Sequence, residues 1–373
     1  MPELPVLELP GAPHADGLAH GSACGAAIAE NLEIYYDRFQ REARLTPQET
    51  RERARMYLAV IDREEPAYGE AMRGVAEGAG ISLDDVAVLN ARYEILYSQY
   101  SSINQAEAEP RGIPAGGCTA FAVAPEVSAD GHLYLGQNWD WFPAVRGVVL
   151  RRAVGETRVV AFTEAGIVGG KIGMNTHGLG LVINGLLSSQ DDWSHLRTPF
   201  HVRTWRILHA RSLREATRAV TDELRACSAN FLIGQADGVA AVVNIEAAPG
   251  ATCTLAPENG VLAHANHFTD ADRLQVWQPL AEEKTSTYRR ADRMHRLLTE
   301  GARRRTLHAA TLMDILRDHE GRPDSLCRHP NPALPEEERV ETVVSVVEDL
   351  TAGRFYVAGG TPCTTPFVEI PLR

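Results

Sequence analysis

The chain has 373 residues, is 44% hydrophobic and 23% charged, and carries a formal net charge of −12, which fits an ordinary soluble protein of one large or two medium domains. That acidic balance argues against a nucleic-acid or anionic-membrane partner and for a small-molecule one. No apolar run reaches the ~20 residues of a membrane span, and the acidic, Pro-broken start (M-P-E-L-P-V-L-E-L-P-G) lacks the basic and apolar regions of a signal peptide.

The acid excess is concentrated early: residues 1–117 hold 19 Asp and Glu against 10 Lys and Arg, a net of −9. The cations are almost all Arg, with Lys only at Lys171 and Lys284, which reads as compositional bias. Six cysteines (Cys24, Cys118, Cys227, Cys253, Cys327, Cys363) stand far apart without a C-x-x-C pair. The expectation is a cytoplasmic protein with reduced thiols, no disulfide framework and no zinc ribbon.

Residues 18 to about 100 are helical in pattern. Ile28, Leu32, Ile34, Tyr35 and Phe39 recur near one face. Thr46-Pro47-Gln48-Glu49 supplies an N-cap, a Pro at the first helical position and acid in the first turn, so a helix runs from there to about Ile61. Ser82-Leu83-Asp84-Asp85 caps another, which continues to Tyr97. Polar, irregular sequence is expected from Ser98 to Gly117.

From Cys118 the pattern changes to strand. C-T-A-F-A-V-A-P and H-L-Y-L-G-Q-N-W-D flank S-A-D-G, a hairpin signal. Further strands are expected at 148–154, 158–163, 180–186, 229–234, 239–245, 252–255, 262–267, 342–347 and 355–358. Helices are expected at 202–224, 287–298 and near 309–318. Many strands broken by few helices indicate an α+β fold rather than alternating βαβ units.

Cys118 follows Gly116-Gly117 and a Pro-containing loop, at the entrance of the first strand of the hairpin. A thiol attacks only as thiolate and needs a base beside it. Cleavage of the Gly117–Cys118 bond would supply one, because a free α-amino group has a pKa of about 7.7–8.0. Gly117, without a Cβ, would let the sulfur reach its carbonyl. A small buried hydrophobe at a strand entrance is the competing account. Antiparallel pairing across the hairpin brings Asn138 to Asp140, within G-Q-N-W-D-W, back towards Cys118, where a carboxylate would orient the new amine; a strand-end turn cap is the alternative for Asp140. H-A-N-H (His264–His267) reads either as a polar strand end or as a metal-type H-x-x-H without a third ligand in view, and no metal is expected.

C-T-A-F…G-Q-N-W-D, G-M-N-T-H-G-L-G-L-V-I-N-G-L (173–186), H-A-N-H-F (264–268) and S-T-Y-R-R-A-D-R (286–293), in this order, resemble the acyl-coenzyme A:6-aminopenicillanic acid acyltransferase family. This is peptidase family C45 of the N-terminal nucleophile (Ntn) hydrolases. Upstream G-L-A-H-G, V-A-E-G-A-G-I-S-L-D-D-V and L-N-A-R-Y-E-I, and the tail T-V-V-S-V-V-E-D-L…F-Y-V-A-G-G-T-P-C, extend the resemblance over nearly the whole chain.

The resemblance implies a four-layer αββα sandwich and a precursor that cuts itself at Gly117–Cys118. Residues 1–117 would become a largely helical small subunit and 118–373 a large subunit, the two staying together as a heterodimer. By motif, Cys118 is the nucleophile and Asp140 its partner. Asn266 is the oxyanion donor, and an Arg of the S-T-Y-R-R-A-D-R helix points at the nucleophile. Arg290-x-x-Arg293 followed by Leu297-Leu298 fits the family spacing, although Arg289 stands where Ser is usual. Arg290 is therefore preferred and Arg289 is the alternative. Asn184, Thr119 and Asn138 are candidate substrate or oxyanion contacts.

The expected chemistry is cleavage or exchange of the acyl group of a small-molecule amide or thioester through a Cys118 thioester. Water would resolve it in an amidohydrolase and an amine in an N-acyltransferase. No phosphate-cradling Gly-rich loop is present, so no cofactor is expected, and a coenzyme A thioester enters only as a co-substrate. An acyl-coenzyme A- or carrier-dependent N-acyltransferase of secondary metabolism is the first alternative. An uncut, non-catalytic binding relative is the second. A papain-like protease, using His264 or His267, fits poorly with a nucleophile placed at a strand entrance.

Overall fold

A computed structural model describes residues 4–106, 117–278 and 286–372. Strand β1 (Val6–Leu9) leads into helices α1 (Pro13–Arg41), α2 (Pro47–Glu64), α3 (Pro66–Ala79), α4 (Leu83–Asn90) and α5 (Arg92–Ala106). Next come β2 (Thr119–Val123), β3 (Tyr134–Trp141), β4 (Gly147–Val154), β5 (Thr157–Glu164), β6 (Ile172–Asn175), β7 (Leu179–Gly185), α6 (Phe200–His209) and α7 (Leu213–Thr221). The chain continues through β8 (Ala229–Gln235), β9 (Ala241–Ala247), β10 (Thr252–Leu255), β11 (Val261–His264), α8 (Ala271–Leu274), α9 (Ser286–Arg304) and α10 (Ala309–Leu316). Strands β12 (Glu341–Asp349), β13 (Arg354–Ala358) and β14 (Val368–Pro371) close it.

Among the described residues these strands form two sheets. One has eight strands in the order β1-β4-β5-β6-β7-β8-β9-β10; the other has six, β11-β2-β3-β12-β13-β14. Pairing is antiparallel except where β1 lies parallel to β4. The sheets face each other through β2, β3, β7 and β8, with α6 and α7 on the outer face of the first sheet and α9 and α10 on that of the second. This is the expected αββα sandwich. A buried side chain pins the sheets together near the start of β2. Gln137 accepts from Ile183 N at 2.9 Å and donates to Ile183 O at 2.5 Å. Pairing of β6 with β7 is confined to Gly173 and Met174, so the Ile183 edge is left for Gln137 to satisfy.

Helices α1 and α3 lock the amino-terminal region through Gly17 and Gly21 against Gly74 and Gly78, where any Cβ would strike the opposing backbone. The Thr46 capping box forms as expected, with Thr46 Oγ1 accepting from Glu49 N at 3.2 Å and Thr46 N donating to Glu49 Oε2 at 2.8 Å.

Three expectations change. The helix read through 82–97 is two, broken at Ala91, where buried Asn90 donates to Val86 O and Gly166 O. The expected irregular stretch from Ser98 is helical to Ala106. Its polar residues bond to the loop after β7, Ser101 Oγ to Ser188 O at 2.5 Å and Gln105 Nε2 to Ser189 O at 3.0 Å; residues 107–116 of that expected loop lie outside the described residues. The single helix at 202–224 is α6 plus α7, because Asn175 takes the Leu208 and Ala210 carbonyls and Ser212 caps a new start.

Candidate active site

Strands β2 and β3 pair with Thr119 opposite Asn138. Carrying that register two residues outward sets Gly117 across from Asp140. From the other side β12 brings Thr342 opposite Asp140, next to a register shift between Thr342 and Val344, the kind of irregularity that re-aims side chains. Side chains alternate along a strand. Cys118, Ala120 and Ala122 join the core between the sheets, while Phe121 and Val123 join the core under α9 and α10. Asp140 therefore lies on the helix side, against the backbone of the Gly117–Cys118 bond rather than against the sulfur.

Helix α9 delivers the arginine. Thr287, Arg290, Met294, Leu298 and Gly301 form its buried stripe at helical spacing. Arg290 Nη1 lies 2.7 Å from Gly117 O, from Cys118 O and from Thr119 Oγ1, and Nη2 donates to Asn266 Oδ1 at 3.2 Å. Arg289, one residue out of phase, is exposed. It points away from Cys118, and Arg290 is the arginine of this helix that contacts the Gly117–Cys118 peptide.

Strand β11 ends at His264, so Asn266 sits just past it. Its amide donates to Gly185 O at 3.0 Å and its backbone N–H to Thr287 Oγ1 at 2.8 Å. Asn184 donates to Cys118 O at 3.2 Å. Its own oxygen accepts from Asn230 at 3.1 Å and lies 3.2 Å from His264 Nδ1, whose Nε2 is 2.9 Å from Glu246 Oε1. A Glu246–His264–Asn184 chain thus ends on the Cys118 carbonyl, and His264 serves Asn184 instead of the sulfur.

Asn138 is not a substrate contact. Its amide donates to Leu316 O at 2.9 Å and Leu326 O at 2.7 Å and its oxygen accepts from Ser345 Oγ at 2.6 Å, so every polar atom is spent tying β3 to β12 and to the segment after α10. Thr119 positions Arg290.

The electrostatics keep the Cys118 thiol protonated. Burial, then the Asp140 charge, push the Cys118 thiol up to about 11, against the pull of an Asp140 backbone hydrogen bond, Arg290 and Lys171. Burial also raises Asp140 to about 7 despite Arg290, Arg328 and the Thr342 hydroxyl, which donates to Oδ1 at 2.7 Å. Asp140 Oδ2 is buried and has no hydrogen-bond partner among the described residues. Burial brings Arg290 down to about 10.

Several contributors escaped the sequence reading. A Cβ on Gly117 would run into Arg328 Nη1 and stand 3.1 Å from Asp140 Oδ2, so Arg328, paired with Asp324, lies directly against this peptide and would have to shift for a larger residue. On the sulfur side, Lys171 is buried over the Trp139 ring at 4.1 Å and paired with Glu164, which Arg92 and Tyr35 also contact. Burial brings Lys171 down to about 7. Lysine's rarity was the available signal; for Arg328 there was none. The histidines of H-A-N-H do not converge as metal ligands, since His264 bonds Glu246 and His267 Nδ1 lies 2.9 Å from Thr287 Oγ1. Among the described residues, the His and Cys side chains that do converge lie elsewhere, at His319, Cys327, His329 and Cys363.

A buried cysteine thus stands at a strand entrance with Arg290 and Asn184 bonded to its backbone carbonyl and Asn266 bonded to Arg290. The acyl-coenzyme A:6-aminopenicillanic acid acyl-transferase family model matches residues 127–362, and the chain belongs to that family. The match contains Asp140, Asn184, Asn266 and Arg290 and begins after Cys118. The protein is accordingly an enzyme acting on amide C–N bonds.

The chain is 26% identical over 369 residues to the acyl-coenzyme A:6-aminopenicillanic-acid-acyltransferase 40 kDa form of Emericella nidulans, covering 94% of this chain and 91% of that protein. Among solved structures it is similar to a mutant conjugated bile acid hydrolase from Clostridium perfringens (TM-score 0.46, 14% identity, 68% of this chain and 92% of that one). It is also similar to penicillin V acylase from Agrobacterium tumefaciens (TM-score 0.44, 14% identity, 68% and 86%). At these scores the two structures bear on neither substrate nor mechanism. Among the described residues no helix is long and apolar enough to cross a membrane.

Proposed function

We propose that the chain is a precursor that cleaves itself between Gly117 and Cys118 and then works as a cysteine amidohydrolase or N-acyltransferase on a small-molecule amide. The observation that carries this reading is Asp140 Oδ2, a buried carboxylate oxygen without a partner among the described residues, set against the peptide whose cleavage would create an ammonium. An unsatisfied buried acceptor costs about 1–3 kcal/mol. The new Cys118 amine would remove that cost.

In the cleavage step Cys118 Sγ attacks the Gly117 carbonyl carbon, and Arg290 Nη1 holds the developing oxyanion. Collapse breaks the Gly117 C–Cys118 N bond as the thiol proton passes to the leaving nitrogen, leaving a thioester and a free amine. Water then hydrolyses the thioester, giving a Gly117 carboxylate and the thiol. A thiol held at about 11 is almost wholly protonated at neutral pH, so turnover needs the base that cleavage provides. The amine takes the thiol proton, the thiolate attacks the substrate carbonyl with the Asn266 amide as oxyanion donor, and the leaving amine departs protonated. Water resolving the acyl-enzyme makes an amidohydrolase; a second amine makes an acyltransferase, with a coenzyme A thioester as a candidate acyl source. The amino-terminal 117 residues remain as a small subunit packed on the large one.

The test is Cys118→Ala. The variant should stay one chain and be inactive, and a fully processed alanine variant would end the autocatalytic reading.

A further inference from the structure

We propose that His319, Cys327, His329 and Cys363 form a structural zinc site that clamps the long connection between α10 and β12 to the turn after β13. Their ligand atoms all lie within 4.8 Å of one another. His319 Nε2 is 3.1 Å from His329 Nε2, and His329 Nε2 is 3.5 Å from both Cys327 Sγ and Cys363 Sγ. Zn–N bonds of about 2.0–2.1 Å and Zn–S bonds of about 2.3 Å at tetrahedral angles put ligand atoms about 3.3 Å apart for N–N and about 3.6 Å for N–S. The three spacings about His329 Nε2 match that geometry.

The hydrogen bonding points the same way. Arg322 Nη2 lies 2.9 Å from His319 Nε2 and 3.3 Å from His329 Nε2. A guanidinium only donates, so an imidazole nitrogen that it bonds offers a lone pair; the two nitrogens lie 3.1 Å apart, with two sulfurs each 3.5 Å from His329 Nε2. A cation would gather these donor atoms in place of Arg322. Arg322 is exposed and free to swing into solvent, while Cys327 is buried. Two thiolates and two neutral imidazoles make a charge-neutral zinc complex, and this soft, four-coordinate set is that of a closed structural site.

The clamp has a purpose in the fold. Between α10 and β12, residues 317–340 contain only a single 3-10 turn at Glu336–Glu338. That connection carries Arg328, next in sequence to Cys327 and set against Gly117. Arg317 Nε donates to Pro362 O at 3.0 Å and Asn138 holds Leu326 O, so zinc would complete a frame that other bonds begin. The site stands or falls independently of self-cleavage.

The experiment is metal analysis of the full chain purified under reducing conditions without chelator, followed by removal of metal and titration with zinc or cobalt(II). The expected result is about one zinc per chain, and, with cobalt, the intense visible absorption of a tetrahedral thiolate site. His319→Ala and Cys363→Ser should each lower bound zinc at least tenfold while Cys253→Ser keeps it, and zinc removal should speed amide exchange in 319–329. Reduced, folded wild-type protein that takes up neither ion would overturn the proposal. So would a Cys327–Cys363 disulfide in metal-free protein as isolated, read as two missing titratable thiols.

Discussion

Arg290→Gln should slow maturation by about 10²–10³-fold while leaving a folded precursor. Arg290 Nη1 stands 2.7 Å from Gly117 O, the oxygen on which charge develops when Cys118 attacks, and losing one such donor costs about 2.7–4 kcal/mol of barrier. Its bonds to Cys118 O and Thr119 Oγ1 exist before and during the reaction, so their loss acts on stability and not on the rate. The stability effect is itself offset, because burial already disfavours this cation and brings it down to about 10; the shorter, neutral Gln removes the buried charge without reaching Gly117 O. The assay is a refolding time course of denatured precursor, read as intact chain against fragments on a denaturing gel, with Arg289→Gln as the control. Arg290→Gln maturing at the wild-type rate would refute the reasoning. So would an equal loss in Arg289→Gln, whose side chain is exposed.

Asn266→Ala should mature nearly normally yet lose about 10²–10³-fold in turnover; unchanged kcat would remove its amide from the oxyanion site. Asp140→Asn, made on Cys118→Ala so that the chain stays whole, should change the pH dependence of stability. Asp140 ionises near 3.8 unfolded and at about 7 folded, so the folded state binds the extra proton and stability falls as pH rises from about 4 to about 7, then levels off. At about 1.36 kcal/mol per pH unit, the Asn variant should exceed its parent by about 4 kcal/mol at pH 8 and by almost nothing at pH 4 in denaturant unfolding; an equal difference at both pH values would contradict the assignment. Gly117→Ala should impair maturation, since its Cβ meets Arg328 Nη1, and removing the Arg328 side chain in the same molecule should restore part of the rate; no restoration would mean the obstacle lies elsewhere.

Groups set by local pattern were legible before the structure. Asp140 could be placed from the hairpin, because a register set by β2 and β3 carries a strand-end residue to a known partner. The choice of Arg290 over Arg289 is settled by helical phase, which the family spacing anticipated and the buried stripe of α9 explains. Asn138 was misjudged because the same strand face that puts Asp140 opposite Gly117 puts Asn138 beneath α10, two residues away. Arg328, the Glu246–His264 pair and the four-residue His/Cys cluster depend on segments distant in sequence meeting in space; no short-range period announces such a meeting. Cys363 lies 34 residues beyond His329, a spacing that no zinc motif would flag. The short strands β1, β6 and β14 were not anticipated, whereas β10 and β11 of the same four-residue length were.

The most direct test of the central claim is the intact mass, under denaturing conditions, of freshly purified protein. The account predicts two fragments of about 13 and 28 kDa, the shares of 117 and 256 residues in the whole chain, with the larger beginning at Cys118. A single uncut chain that nevertheless turns over an amide substrate would contradict it.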